Sequence, residues 1–469
     1  MAGGLASPAS AHSFAAPYVL PIPFWIYVYG CVATLVVTFC LLSFFLGSSA
    51  AMAADWAPPV SAFRPVPRAI VAILRVTAST LFAVTILSGL IGGPDPGQNV
   101  AMTLFWVMLL LGLAYAILFA GDVFEHCNPL ATLFDMIEAC GVDLSRERAG
   151  SLSALGSWPA LVAYFGLVWL ELFAGPEPRL LAIVLIGYGL AGVLVAVMFG
   201  RQAWFAQVDP LSRMFALIGR LAPIAYRKDQ SGGWAYRLRA PLSGALDELP
   251  ADLATIVFIL FMLSSTTFDG LHETAWWIGL FWENLLALLL PLWDGNLAVA
   301  QNRLEPWYIL YQQAGLVVVP FLYLGIYALV LGWTALVTRT GQSVAPLALA
   351  FGNSLIPIAL AYNFTHYATL LFAQVEGLPR LLADPFDLGW RLFETSSRPE
   401  QLNLPMALIW HLQVAVLLIG HVAGVYLAHA QAIRSFATRR QVTMSQLPLL
   451  LLMLAYTMFG LWILSLPTA

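Results

Sequence analysis

Long apolar runs with almost no charged residues recur along the whole chain. The run at residues 251–268, which includes LATIVFILFML, is an example, and a helix of this length can cross a hydrocarbon core of roughly 30 Å. With 60% hydrophobic and 10% charged residues, a soluble chain of 469 residues could not bury this much apolar surface. The runs are continuous and do not alternate, which predicts helices and not barrel strands. We therefore predict an all-α, polytopic integral membrane helical bundle.

The lengths of the apolar runs predict about ten membrane-spanning helices, accompanied by interfacial amphipathic helices. The spans are assigned to residues 22–47, 69–94, 100–120, 157–176, 179–201, 251–268, 315–338, 344–375, 407–433 and 445–467. The polar connection 202–250 carries six basic residues and is predicted to lie in the cytoplasm. It separates an N-terminal transmembrane half, 1–201, from a C-terminal half, 251–469, with about five helices in each.

The positions of Lys and Arg indicate the orientation, because positively charged loops stay in the cytoplasm. With ten spans and an outer N-terminus, 15 of the 21 basic residues fall in inner loops and five in outer loops, while Arg75 lies inside a helix. The Trp-rich segment 276–293 leaves an alternative open, because as an eleventh span it would reverse everything after it with unchanged charge totals. Glu283 and four Trp residues favour an interfacial helix instead.

Several ionisable residues are predicted to share one depth, near the outer ends of the spans. They are Glu171, Asp269, His272, Glu273, His366 and His411. Ionisable groups in a membrane are costly unless they are paired, metal-bound or open to water, so these residues are candidates for a functional site. Their common depth carries this inference, since each residue alone also fits an ordinary helix end or a structural hydrogen bond.

Local spacing supports the same grouping. In SSTTFDGLHETAWW, residues 264–277, the side chains of Asp269, His272 and Glu273 share a face if the helix continues, although Gly270 is expected to loosen it. The stretch DGLHE fits a wet helix end equally well. Pro357 is expected to kink the eighth span and to free carbonyl groups for a cavity.

Histidines and carboxylates together suit Zn²⁺ or another divalent metal, which lowers the pKa of a bound water to roughly 7. The predicted ligands are His366, His411 and His272. Either Glu273 or Asp269 is the predicted general base. A haem or copper site built from histidines stays open as an alternative.

Aromatic and amide side chains next to these residues are the predicted substrate contacts. Trp276 and Trp277 would form an aromatic wall for an aryl group. Tyr362 and Asn363 share a helix face with His366 and would line the same site.

The segment 121–138, GDVFEHCNPLATLFDMIE, is predicted to lie at the inner face. Asp122, Glu125 and His126 could form an inner metal or proton site there. The pair Asn128-Pro129 instead favours the start of an amphipathic interfacial helix near 128–140. Residues 213–224, RMFALIGRLAPI, likewise predict a basic helix lying on the surface.

Several stretches together carry a resemblance to a known family: PIPFWIYVYG, GDVFEHCNPLATLF, WPALVAYFGLVWLEL, STTFDG, SLIPIALAYNFTHY, HLQVAVLLIGHVAGVYLAH and FGLWILS. In this order, from the first helix to the last, they resemble a bacterial family of integral membrane proteins known as fenitrothion hydrolase or fenitrothion hydrolase-like. The resemblance covers Ser265 to Gly270 and also His366, but not His272 or Glu273. The chain departs from the family at Asn353, where a His is frequent.

The resemblance implies a protein of the bacterial inner membrane, and the apolar runs and basic residues described above predict a multi-pass chain with a periplasmic N-terminus. The resemblance implies an enzyme that hydrolyses the P–O–aryl bond of a hydrophobic organophosphorus ester. It also implies that the enzyme forms a complex with a second membrane subunit. Two other functions stay open: a transporter or permease, and a haem- or copper-binding subunit of a redox or assembly complex. The chain has no basic stripe or phosphate-binding glycine pattern, so no nucleic-acid partner is expected.

Overall fold

The computed structural model of the chain describes residues 22–45, 62–145, 152–228, 233–390, 392 and 405–466. It is 79% helical, and ten of its helical segments are long and apolar enough to cross a lipid bilayer. The prediction of an all-α polytopic bundle is therefore confirmed. Several residues used in the sequence predictions lie outside the described residues, namely 1–21, 46–47, Arg146, Arg148, Arg391, Arg398 and 467.

The helices before residue 220 form the N-terminal part of the bundle. They are α1 Phe24–Phe45, α2 Arg68–Ile91, α3 Val100–Ala120, α4 Phe124–Cys127, α5 Pro129–Ala139, α6 Trp158–Phe173, α7 Pro178–Phe199 and α8 Pro210–Gly219. Within α3 the stretch Thr103–Leu113 is wound as a π-helix. Shorter turns occupy Ser153–Leu155, Arg201–Ala203 and Trp204–Val208.

The C-terminal part contains both short helices and helices of 20 to 42 residues. They are α9 Ser243–Asp247, α10 Leu253–His272, α11 Ala275–Trp282, α12 Asn284–Leu289, α13 Leu297–Thr338, α14 Val344–Phe351, α15 Ile356–Ala383, α16 Met406–Ser435 and α17 Arg439–Ser465. Two 3₁₀ turns, Leu290–Trp293 and Gly352–Leu355, follow α12 and α14.

A small sheet in the connection between the two halves was not predicted. Strands β1 Arg64–Pro65, β2 Ile224–Lys228 and β3 Trp234–Leu238 pair antiparallel in the order β1-β3-β2. The β2–β3 hairpin lies against the loop after α3, where Gly121 approaches the carbonyl of Ile224. The sheet therefore links the connection to the N-terminal helices.

Two predicted spans differ from the helices observed. The predicted span 157–176 is the 16-residue helix α6, which is shorter than the other spans. The predicted span 315–338 is only the second half of α13, which begins at Leu297 and continues past Pro306. The apolar-run criterion missed the beginning of α13 because that half is rich in polar residues. The segment Ala275–Trp293 has the length and composition of a span but is divided into α11, α12 and a 3₁₀ turn, and its interfacial position stays a prediction.

Helix α10 lies at the centre of the bundle. It is buried on all sides from Ala254 to Asp269, as expected for a helix that is apolar all round. Helices α6, α13 and α15 pack around it. Helix α15 in turn packs closely on α16 at Gly420. A methyl group on Gly420 would overlap Ala361 Cβ and lie 2.7 Å from the carbonyl oxygen of Pro357.

Helix α5 begins as predicted. The side chain of Asn128 accepts a hydrogen bond from the backbone N–H of Leu130 at 2.9 Å, and Pro129 occupies the first turn. The other face of α5 carries Asp135, which pairs with Arg201 at 2.8 Å and with Arg75 at 2.7 Å. These ion pairs explain why a basic residue occurs inside the apolar helix α2.

Helix α8 corrects the prediction of a surface helix at 213–224. It spans Pro210–Gly219, and its apolar residues, among them Met214 and Ile218, are buried against other helices. Arg213 on its polar face donates a hydrogen bond to Thr255 Oγ1 at 2.5 Å. A basic amphipathic pattern fits a buried helix as well as a surface helix when its arginines find partners inside the protein.

His126 of α4 packs against the β2–β3 hairpin and is almost fully buried. Its ring stacks on Trp234 with centroids 3.9 Å apart and meets Tyr226 edge-on at 4.3 Å. Burial lowers the pKa of His126 to about 4, and the positive charges of Arg75 and Lys228 act in the same direction. His126 is thus a neutral packing residue at neutral pH.

The contribution of His126 to stability is expected to fall as the pH is lowered from about 6.5 to about 4, whereas the nearby carboxyl of Asp122, whose pKa burial raises to about 7, acts in the opposite direction. In this window the unfolded chain binds a proton at His126 that the folded chain does not, which favours unfolding by up to about 3 kcal/mol. The measurement is the apparent midpoint of thermal unfolding in detergent at pH 7.5 and pH 4.5. The variant His126→Phe keeps the stacking and should lose less stability on acidification. An equal loss in both proteins would assign the pH dependence to other groups.

Candidate functional site

Helices α3, α6, α8, α10 and α15 enclose a cavity in the interior of the bundle. Its volume is about 60 Å³, enough for a few water molecules because one needs roughly 10–15 Å³. Most of the wall is apolar, with Trp106 of α3 and Met214 of α8 among the lining residues. The polar lining comes from α6, α10 and α15, and consists of Tyr164, Glu171, Ser265, Thr266, Asp269, Asn363 and Tyr367.

Asp269 is the centre of the polar side of the cavity. Its Oδ2 lies 2.8 Å from His366 Nε2, which donates if that nitrogen carries the proton, and it accepts the hydroxyl hydrogen of Tyr367 at 2.5 Å. The Asp269 side chain is only 4% exposed and that of His366 is 19% exposed. A buried carboxylate is thus held by an imidazole and a phenol, both from α15.

Glu171 of α6 brings a second carboxylate to the same place. It interacts electrostatically with Asp269, and the Tyr367 hydroxyl lies within hydrogen-bonding reach of it as well. Tyr367 therefore lies beside both acids and donates its hydrogen to Asp269. We call Glu171, Asp269, His366 and Tyr367 the acid–base cluster.

The local structure around Gly270 makes this contact feasible. Helix α10 continues without a break through Gly270 to His272, which corrects the prediction of a loosened helix. A Cβ at Gly270 would lie 3.4 Å from the His366 ring and 3.0 Å from Ile463 Cγ2. The glycine thus serves close helix packing, and it lets α15 approach the face of α10 that carries Asp269.

The predicted kink at Pro357 is also corrected. Pro357 lies in the first turn of α15, where its missing N–H would be unpaired in any case. The interruption is the 3₁₀ turn Gly352–Leu355 just before it. Asn353 in this turn accepts from Arg220 at 3.1 Å and donates to the Ala245 carbonyl at 2.7 Å, so it holds the Ile356 end of α15.

Of the predicted substrate contacts on α15, the structure places one at the cavity and one away from it. Asn363 lines the cavity, where its Oδ1 accepts a hydrogen bond from Tyr115 of α3 at 2.7 Å. Tyr362 points elsewhere, with its ring against Gly460 of α17.

His272 and Glu273 lie beyond the acid–base cluster. The His272 ring stacks on Phe268 with centroids 5.3 Å apart, and its Nδ1 donates to the backbone carbonyl of Asp269 at 2.7 Å. Glu273 is half-buried at the C-cap of α10, from where its charge acts on His366. Neither residue lines the cavity.

His411 does not join the other predicted metal ligands. Its Nδ1 donates to the Ala407 carbonyl at 2.5 Å, and its Nε2 lies 3.4 Å from the hydroxyl of Tyr27 on α1. Within the described ranges, no group of three or more His, Cys, Asp or Glu side chains could hold a metal ion. The predicted ligands, His366, His411 and His272, therefore do not fit a metal site.

The predicted tryptophan wall belongs to a separate aromatic cluster near the end of α10. Trp277 donates from Nε1 to Gln312 Oε1 at 2.6 Å and stacks on Tyr311. Trp276 is half exposed and meets Trp462 edge-on. Neither side chain lines the cavity.

No family model, curated protein or solved structure matches this chain. Sequence reasoning grouped Glu171, Asp269 and His366 by depth, and the structure brings these three together. It missed Tyr367, although this residue adjoins His366 in the sequence, because an aromatic residue beside a histidine carries no distinctive spacing.

Proposed function

We propose that the chain is a membrane transport protein that moves protons through the acid–base cluster. The observation that carries the proposal is the buried carboxylate Asp269, which accepts hydrogen bonds from His366 and Tyr367 beside a second carboxylate, Glu171. Ionisable residues at such positions in membrane bundles commonly form proton relays or coupling-ion sites.

The balance of donors and acceptors supports proton exchange. Two carboxylates offer four acceptor oxygens, whereas Tyr367 has one hydrogen to donate and neutral His366 has one. The cluster can therefore take up a further proton and hold it in a hydrogen bond. A proton gained on one side of the membrane and lost on the other constitutes transport.

The size of the cavity supports the same function. A volume of about 60 Å³ suits water, which can deliver protons to Asp269 and Glu171. The helix interruption at Gly352–Leu355, just before the helix that supplies His366, resembles the broken helices of transporters in general form.

Purified protein reconstituted into vesicles containing a pH-sensitive dye provides the test. After an external pH jump, with potassium and valinomycin to remove the membrane potential, the protein should speed proton entry at least about tenfold over empty vesicles. An entry rate equal to that of empty vesicles would contradict proton transport.

A second candidate function is hydrolysis of an organophosphorus ester at the same site. The Asp269–His366 pair favours it, because a carboxylate that orients an imidazole is the usual support of a general base, and the cavity could hold the attacking water. The bulky aryl ester would then require the cavity to widen. Release of nitrophenol from fenitrothion by the purified protein, lost in His366→Ala, would support this function. Absence of release would count against it.

A further inference from the structure

We propose that a second group of buried hydroxyls carries protons away from the acid–base cluster, toward the Leu253 end of α10. This proposal rests on the proposed proton transport. The group, called the hydroxyl cluster, consists of Thr267 of α10, Tyr323 of α13, Tyr362 of α15 and Tyr456 of α17. None of these residues lines the cavity, so the cluster is a separate site.

Tyr323 lies at the centre of the hydroxyl cluster. Its hydroxyl donates to Thr267 Oγ1 at 3.1 Å, and Thr267 in turn donates to the Leu263 carbonyl at 2.9 Å. The rings of Tyr323 and Tyr456 stack with centroids 5.1 Å apart and planes only 13° from parallel. Three helices thus meet around these polar atoms in an otherwise apolar core.

Two hydroxyls of the cluster are buried without a protein partner. Among the described residues, neither the hydroxyl of Tyr362 nor that of Tyr456 has a hydrogen-bond partner. Tyr362 is only 4% exposed. Buried hydroxyls are nearly always hydrogen bonded, and water is the usual partner where the protein supplies none. These two hydroxyls therefore point to bound water between the helices.

The hydroxyls form a sequence that begins at the acid–base cluster. Tyr362 lies one helical turn before His366 on α15, and its ring lies against Gly460, one turn after Tyr456 on α17. Tyr456 stacks on Tyr323, and Tyr327 follows Tyr323 by one turn of α13. The order from the acid–base cluster is therefore His366, Tyr362, the stacked pair and then Tyr327.

The direction follows from the antiparallel packing of α13 on α10. Gln312 of α13 lies 3.4 Å from the His272 carbonyl at one end, whereas Tyr323 contacts Thr267 further back along α10. Tyr327 continues toward the Leu253 end. The hydroxyls thus lead from the acid–base cluster toward the opposite end of the bundle.

The proton step requires no other reactant. A tyrosine oxygen accepts a proton from one neighbour and releases its own hydrogen to the next, directly or through a bound water. Only O–H bonds form and break. Each hydroxyl regains its starting orientation when its hydrogen rotates about the C–O bond. The path therefore needs neither an oxidant nor a metal.

Conservative substitutions test the path. Tyr362→Phe and Tyr456→Phe each remove one hydroxyl that has no protein partner, so they break no protein hydrogen bond and should leave the thermal midpoint unchanged or higher. In the vesicle assay each should slow proton entry about tenfold. Tyr311→Phe is the control, on the helix that carries Tyr323, because its hydroxyl donates to the Trp277 carbonyl outside the path, and it should keep the wild-type rate.

The outcomes separate the two proposals. Wild-type protein that admits no protons would overturn the proposed function, and with it this path. Wild-type transport with unchanged rates in both Tyr362→Phe and Tyr456→Phe would overturn the path alone. A slow rate in either variant, with a normal thermal midpoint and a normal Tyr311→Phe control, supports it.

Discussion

Replacing Asp269 with asparagine is expected to abolish proton entry into vesicles, a loss of at least about 100-fold, the lower end of what a positioned acid–base group contributes. Asparagine keeps the shape of the side chain and can still accept hydrogen bonds from His366 and Tyr367. It cannot bind and release a proton. The loss would therefore report chemistry and not a collapsed site.

Two controls make this result specific. Glu283→Gln changes an exposed acid in the Trp-rich segment and should leave the rate unchanged. The thermal midpoint of Asp269→Asn should stay close to that of the wild type, because the hydrogen-bond acceptor is kept. Proton entry at the wild-type rate in Asp269→Asn would remove the acid–base cluster from the transport path.

Gly420→Ala is expected to destabilise the bundle strongly. The new Cβ would overlap Ala361 Cβ and approach the Pro357 carbonyl oxygen to 2.7 Å, so α16 must move away from α15. Forced overpacking of this kind costs about 1–3 kcal/mol, and contact with backbone atoms places the cost near the upper end. The apparent thermal midpoint in detergent should fall by several degrees.

The matched control is Gly187→Ala in α7. No atom of the described residues lies within 4 Å of a Cβ at that position, and alanine favours helix over glycine by roughly 1 kcal/mol. Its thermal midpoint should be unchanged or higher. A Gly420→Ala variant as stable as Gly187→Ala would mean that α15 and α16 are further apart than described.

The fold was largely accessible from the sequence because the bilayer imposes a simple rule. A chain must pair its backbone polar groups inside the membrane, so each long apolar run becomes a helix. The same rule does not predict a helix that extends beyond the apolar run, as in the first half of α13. It also does not predict that a short amphipathic helix such as α8 is buried against other helices. Hydropathy measures transfer into lipid and does not report packing against protein.

The site was accessible only in part. Shared depth grouped Asp269 with Glu171 and His366, because costly polar groups in a membrane must find one another. Depth gives no angle around the bundle axis, which is why His411 was grouped with them although its ring contacts Tyr27 on α1. Residues that complete the site through packing carry no sequence signal of their own.

The π-helical stretch of α3 has a mechanical consequence for the cavity. Eleven residues, Thr103–Leu113, are wound with one residue more per hydrogen-bonded loop than an α-helix. Passing this extra residue along the helix exchanges hydrogen bonds without breaking the helix, and it turns each side chain that it passes by about 100°. Trp106 and Leu110, which line the cavity, lie within this stretch. A shift in the winding of α3 would therefore change the lining of the cavity on one side while α10 and α15 stay in place.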